Sequence, residues 1–229
     1  MNFLYFINNN LKKIKNKFYI IFFLLIKKPL YIINYNSNGN SFICKGLLIN
    51  SSINVNGKNN QIFIDKGARL NNMHINVSGN NNRLILHKGV VFSEGGRIKL
   101  EDENNLIEIG ENTDFVNCFF AVSDYNSKII VGSGSMFSAN IVIRNSDVHS
   151  ILNKAGKRIN HAKDTIIGNH VWVAYGATIL KGSHIEDDCI IGSQSVVAGL
   201  QMPQGSIAAG NPAKIVKEDI KWDRQRFKE

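Results

Sequence analysis

From Ile167 to Val197 a branched aliphatic residue returns at every sixth position: Ile167, Val173, Ile179, Ile185, Ile191 and Val197. Slim side chains keep a second register four residues on, at Val171, Ala177, Ser183, Cys189 and Ser195. Neither the helical period nor strand alternation produces strict sixfold spacing. A coil with three short flat strands per turn does, because each sixth side chain then points inward and equivalent positions stack along the axis. The spacing therefore predicts an all-β chain wound as a parallel β-helix, a repeat architecture.

The N-terminal half carries a longer version of the repeat. Asn59-Asn60-Gln61-Ile62-Phe63-Ile64 is followed by Asn81-Asn82-Arg83-Leu84-Ile85-Leu86, by Asn104-Asn105-Leu106-Ile107-Glu108-Ile109 and by Asn126-Ser127-Lys128-Ile129-Ile130-Val131. The steps from Ile64 to Leu86, Ile109 and Val131 are 22, 23 and 22 residues. The asparagines suit corners, because they tolerate left-handed backbone and bond their own chain. Residues 30–131 thus read as long coils, and 132–212 as regular coils of 18 interrupted at 144–164. On this reading the 36 residues from Val131 to Ile167 make two coils of 18. Stacking consumes strand edges except at the two ends, which need caps. The segment 1–29 is expected to be a short helix at one end, and the basic tail 213–229 a helix at the other.

Net charge is +9, much of it near the two ends. That sign favours anionic partners: a phosphorylated cofactor, an acidic glycan or anionic lipid. No aromatic-interleaved basic motif of the nucleic-acid modules is present, so nucleic acid ranks last. Cys44, Cys118 and Cys189 are odd in number and widely spaced, which fits a reducing cytoplasm rather than disulfides or zinc. The histidines show no metal-ligand spacing, and no metal is expected. Phe18 to Ile26 is apolar and bracketed by lysines, about half the roughly 20 residues that span a bilayer. Two readings stay open: a helix packed on the coil end or a neighbouring subunit, or one resting on anionic lipid at the inner membrane.

The polar stretch 144–164 is the one conspicuous break in the regular half, and loops on rigid scaffolds carry chemistry. His149 lies in it. An imidazole can take a proton from a hydroxyl and return it within one turnover. Asp147, two residues earlier, is placed to orient that ring as a carboxylate does in a triad.

Three stretches together resemble the hexapeptide-repeat acyltransferases, in particular the bacterial polysaccharide and sugar O-acetyltransferases. They are Gly168-Asn169-His170-Val171-Trp172-Val173-Ala174-Tyr175-Gly176-Ala177-Thr178-Ile179-Leu180-Lys181-Gly182, Ile191-Gly192-Ser193-Gln194-Ser195-Val196-Val197, and Ala209-Gly210-Asn211-Pro212-Ala213-Lys214. The likeness covers roughly residues 105–217. It implies a left-handed helix, a homotrimer, and acetyl-coenzyme A as donor to a glycan or sugar hydroxyl. In that family the base is a histidine in the interrupting loop, the place of His149, and Trp172 matches a tryptophan near the active site. Ala174, Gly192 and Ser193 match the ridge along the pantetheine arm, and Lys214 and Lys217 the reach of the phosphates. Asn140, Arg144 and His161 fall where acceptor contacts are found. Two departures bear on the acceptor. Val-Trp-Val-Ala replaces the commoner Val-Trp-Ile-Gly, and His161 replaces a frequent proline.

The expected function is O-acetylation of a bacterial surface polysaccharide or its precursor. The alternatives are an N-acetyltransferase of a nucleotide-linked amino sugar and a non-catalytic β-helix scaffold. No Gly-x-Gly-x-x-Gly follows an early strand, which weighs against a nucleotide-binding domain. No serine or cysteine nucleophile has an adjacent base, so direct transfer is expected rather than a covalent acyl-enzyme.

Overall fold

The structure is a computed structural model that describes residues 18–21, 32–35 and 38–228. The described residues wind through three sheets of nine, nine and eight strands, visiting them in turn. The result is a left-handed, three-sided parallel β-helix of about eight turns. We call the faces A, B and C in the order the chain meets them. Face A includes Ser52–Lys58, Gly96–Leu100 and Ile141–Arg144; face B includes Gln61–Ile64, Lys128–Val131 and Thr165–Ile167; face C includes Val91–Phe92, Trp172–Val173 and Ile207–Gly210.

The inward residues stack in register. Ile64, Leu86, Ile109, Val131, Ile167, Ile185 and Met202 form one column under face B, each essentially inaccessible to water. Under face C the column runs Leu70, Phe92, Phe115, Phe137, Val173, Ile191, Ala208. Phe115 stacks on both Phe92 and Phe137 at 4.5 Å. Side-chain volume follows coil length: the long coils enclose phenylalanines, and the 18-residue coils close on Val, Ile and Ala. Cys118 and Cys189 belong to this core, and burial pushes the Cys118 thiol well up.

The paired asparagines divide two tasks. The first of each pair, Asn59, Asn81 and Asn104, turns the corner with φ near +57°. The second points into the coil. Asn40, Asn60, Asn82 and Asn105 each accept the backbone N–H of the next ladder residue, at 2.7–3.0 Å, ending at Ser127. Their amides donate to corner carbonyls of the following coil, Gly57, Gly79, Asp102 and Asp124 in turn. Replacing Asn82 by leucine strands the Asn105 N–H and the Asp102 carbonyl of the following coil, and the Ser78 carbonyl of its own. That should cost about 2–4 kcal/mol, since an orphaned buried polar group costs ~1–3 kcal/mol. Asn81→Gly should be near neutral, because glycine adopts the same φ freely. Thermal or urea denaturation of the two variants tests the contrast.

Three expectations are corrected. The 36 residues between Val131 and Ile167 are one coil, not two, because Val131 pairs directly with Ile167. Where the previous coil turns the A–B corner with residues 123–127, this one uses 145–164, and the surplus leaves the helix as a loop. The sixfold register survives because the coil plus its excursion happens to total a multiple of eighteen. The tail is not helical. Ala213–Lys217 is a strand antiparallel to Ile207–Gly210, and the chain beyond it is extended. Pairing there satisfies the last open edge of face C, a stronger demand than weak helix propensity. The expected N-terminal helix over 1–29, with its membrane contact, lies outside the described residues except at Phe18–Ile21. That piece is a strand antiparallel to Ile32–Tyr35, so its backbone bonds go to a neighbouring strand rather than within a helix.

Candidate active site

The asparagine ladder also fixes the base of the loop. Asn145, wholly buried, accepts the backbone N–H of Ser123 at 3.0 Å and donates to the carbonyl oxygen of the same residue at 3.2 Å. From there the loop is pinned to the A–B corner by two carboxylates. Asp124 takes two bonds from Arg158, at 3.0 and 2.7 Å, and one from Ser146 Oγ at 2.8 Å. The Arg158 guanidinium holds the Asp124 carboxyl below its ordinary range. Asp147 receives the Lys181 ammonium and, at 2.8 Å, the Asn160 amide, and the lysine chiefly lowers its pKa. Both carboxylates therefore stay charged at neutral pH.

Asn160 joins the outgoing and returning limbs. Its Nδ2 donates to Asp147 Oδ2 and to the His149 carbonyl, both at 2.8 Å, while its Oδ1 accepts Ile151 N–H at 2.8 Å. A short hairpin from Leu152 to Arg158 forms the tip. His149 is exposed on this frame, and among the described residues nothing hydrogen-bonds its ring. The expected pairing with Asp147 is not formed. The direct bond between the two is backbone, His149 N–H to Asp147 O at 2.7 Å, because the carboxylate is committed to Lys181 and Asn160. No sequence signal pairs Asp147 with Lys181 of the next coil or with Asn160, since the repeat sets no register for residues on an excursion. His161 follows Asn160 on the exposed returning limb.

Face C gathers a second group. Trp172, 37% exposed, stands on its outer surface between Met136 and Ile190. Beside it runs a column of small residues. Ala174 donates to Ile191 O and Gly192 to Ala208 O, which aligns Ala174, Gly192 and Ala209 along the axis. Ala209 pairs with Lys214, and Ile207 with Lys217, so both lysines stand at the C-terminal end of this strip. Ser193 begins the exposed turn after it. A Cβ at Gly192 would come within 3.0 Å of that of Ala209, so the strip packs closely and its outer surface is low. Asn140 borders it at the C–A corner, where its amide donates to Tyr175 Oη at 2.8 Å. A flat floor walled by Trp172 and ended by lysines leaves room for an extended group with negative charge at one end.

Arg144 ends its strand on the outside of face A, its guanidinium 5.1 Å from the Phe119 ring centre. The structure thus brings Trp172, Ala174, Gly192, Lys214 and Lys217 onto one face. It places Asp147, His149 and His161 on the loop at the A–B corner, opposite that face in a three-sided coil.

Sequence reasoning passed over Trp222. The extended tail carries its ring flat against His170, 4.0 Å between centres and 3° between planes, and 6.0 Å from Trp172. His170 is thereby partly covered, its side chain still 39% exposed, and its Nδ1 bonds Asp188 at 2.8 Å.

A family described as bacterial transferase hexapeptide (six repeats) matches residues 164–199. The polysialic acid O-acetyltransferase of Neisseria meningitidis is 41% identical over 86 residues, 37% of this chain and 40% of that protein. The chain thus matches less than half the length of that curated relative. Likeness to solved structures runs further. The crystal structure of the polySia-specific acetyltransferase NeuO is 31% identical, with 87% of this chain and 84% of that one covered, at a TM-score of 0.77. The polysialic acid O-acetyltransferase OatWY is 33% identical, with 82% and 90% covered, at a TM-score of 0.77.

Proposed function

The chain belongs to the hexapeptide-repeat acetyltransferases, and from that premise we propose that it acetylates a hydroxyl of a bacterial surface polysaccharide or its sugar precursor, with acetyl-coenzyme A as donor. One observation carries the proposal. A low strip walled by Trp172 and ended by Lys214 and Lys217 lies on face C, while the exposed His149 leaves the opposite corner. A site that uses both closes only between copies, so we read the assembly as a closed oligomer, and as the homotrimer that the family resemblance implies. The loop supports this with Val148, Ile151, Leu152 and Ile159, all about half exposed and available to a neighbour's surface.

The donor supplies an acetyl thioester. His149 accepts the proton of the attacking hydroxyl and returns it to the departing sulfur. Lys214 and Lys217 hold the carrier's phosphates as point charges. Ala174, Gly192 and Ser193 leave room for its arm, and Trp172 fixes the reacting end. Asn140, Arg144 and His161 border the acceptor. Holding both substrates in one cleft supplies much of the remaining rate. Among the described residues no helix is long and apolar enough to cross a membrane. The free thiols Cys44, Cys118 and Cys189 support a cytoplasmic setting, with contact at the inner membrane left to the N-terminal segment.

Coenzyme A at about 100 times its dissociation constant should stabilise the folded protein by ~2.7 kcal/mol, a rise of several degrees in melting temperature. A scaffold with no donor site would show no shift at millimolar coenzyme A, and that result would remove the proposal.

A further inference from the structure

We propose that Trp222 is a positioning residue for the donor groove: the C-terminal tail is threaded back along the B–C corner so that this ring holds Trp172 in place. The inference rests on the reading of Trp172 as the groove wall. The tail is fastened at each end of the relevant stretch. Ile220 N–H donates to Gly205 O at 2.9 Å. Arg224 bonds the carbonyls of Gly134 and Ser135, at 3.1 and 2.9 Å, and pairs with Asp114. Between these points Trp222 Nε1 donates to the His170 carbonyl at 2.8 Å, while the ring lies flat on the imidazole.

The support beneath is itself braced. Asp188 Oδ1 takes His170 Nδ1, and its Oδ2 takes Gln204 Nε2 at 3.1 Å. His170 sits at a left-handed corner, φ +52°, two residues before the strand Trp172–Val173. Gln204, Asp188, His170 and Trp222 thus form a chain from one coil to the next that ends against Trp172, tilted 44° to it. A tryptophan on the outside of an open sheet has several rotamers available to it. Trp222 occupies the space on the B–C side, so the Trp172 ring is kept at the edge of the strip of small residues. A wall that swings loses the alignment on which transfer depends.

The chain has two tryptophans, so each can be observed alone. In Trp222→Phe only Trp172 emits. Its time-resolved anisotropy should show little fast motion, and coenzyme A should bind about as in the parent. In Trp222→Ala the same probe should gain a fast component, and coenzyme A should bind about tenfold more weakly or worse. Trp222→Leu, which keeps apolar volume without a flat ring, should follow alanine and stands in if the alanine variant does not fold. Equal anisotropy in the phenylalanine variant and the two others, or parental coenzyme A affinity in Trp222→Ala and Trp222→Leu, overturns the inference. A parent that does not bind coenzyme A at all overturns the donor reading instead, while the anisotropy comparison still decides whether Trp222 holds Trp172.

Discussion

Replacing His149 by alanine is expected to lower turnover about a hundredfold to ten-thousandfold, the range that a positioned general base contributes, with the melting temperature nearly unchanged. The two halves of that expectation have separate causes. The loop is held without the imidazole: Asn145 locks its base to Ser123, Asp124 grips Arg158, and Asp147 is shared by Lys181 and Asn160. The His149 ring contributes no hydrogen bond to that frame among the described residues, and exposed substitutions away from such features rarely disturb stability. A loss of rate therefore reports chemistry and not unfolding. Glutamine at the same position keeps much of the side chain's bulk and polarity but cannot take up the proton, so it should be as inactive as alanine. The measurement is steady-state acetylation of a glycan acceptor alongside thermal melting. Parental rates in His149→Ala would show that the base lies elsewhere.

The parts of the molecule governed by repetition could be read directly from the residues. Branched aliphatics every sixth place stack as expected from Ile167 to Val197, and the 22-residue steps of the N-terminal half are the observed pairing of Ile64, Leu86 and Ile109. The asparagine pairs were legible by half. The left-handed corner at Asn81 follows from the residue's conformational tolerance, but the inward ladder through Asn82 needs the coils already stacked. The excursion was visible as a polar break, yet its length was concealed by the coincidence that lets 36 residues pass for two coils. Inside it, residues pair across distances that no period encodes, as Lys181 does with Asp147 and Arg158 with Asp124. Proximity in sequence suggested Asp147 as the partner of the His149 ring; a lysine from the next coil took it. The tail misled for a related reason. A run such as Lys214 to Lys228 carries no mark of the open sheet edge that straightens its first residues, or of the His170 ring that receives Trp222.

Mixing two inactive variants should restore activity. His149→Ala keeps its face C intact, and Trp172→Ala keeps its loop intact. If each site takes the loop of one copy and face C of the next, a mixed ring contains some sites with neither defect. In a ring of copies assembled at random from equal amounts, a site is whole when its loop comes from the tryptophan variant and its face from the histidine variant. That happens in about one quarter of sites, so coexpressed protein should recover about 25% of parental turnover per site, while each variant alone stays near background. Purifying separately tagged chains through both tags removes the unmixed rings; in a mixed ring of three copies one site in three is whole, so the recovery in that sample should rise to about one third. The recovery cannot come from a site built within one chain, because every chain in the mixture carries a defect in the loop or in the wall. Dually tagged assemblies that remain at background would mean that His149 and Trp172 do not serve the same site across a boundary. Since the two lie on opposite sides of one coil, that outcome would also deny them a shared site within it, and one of the two assignments would fall.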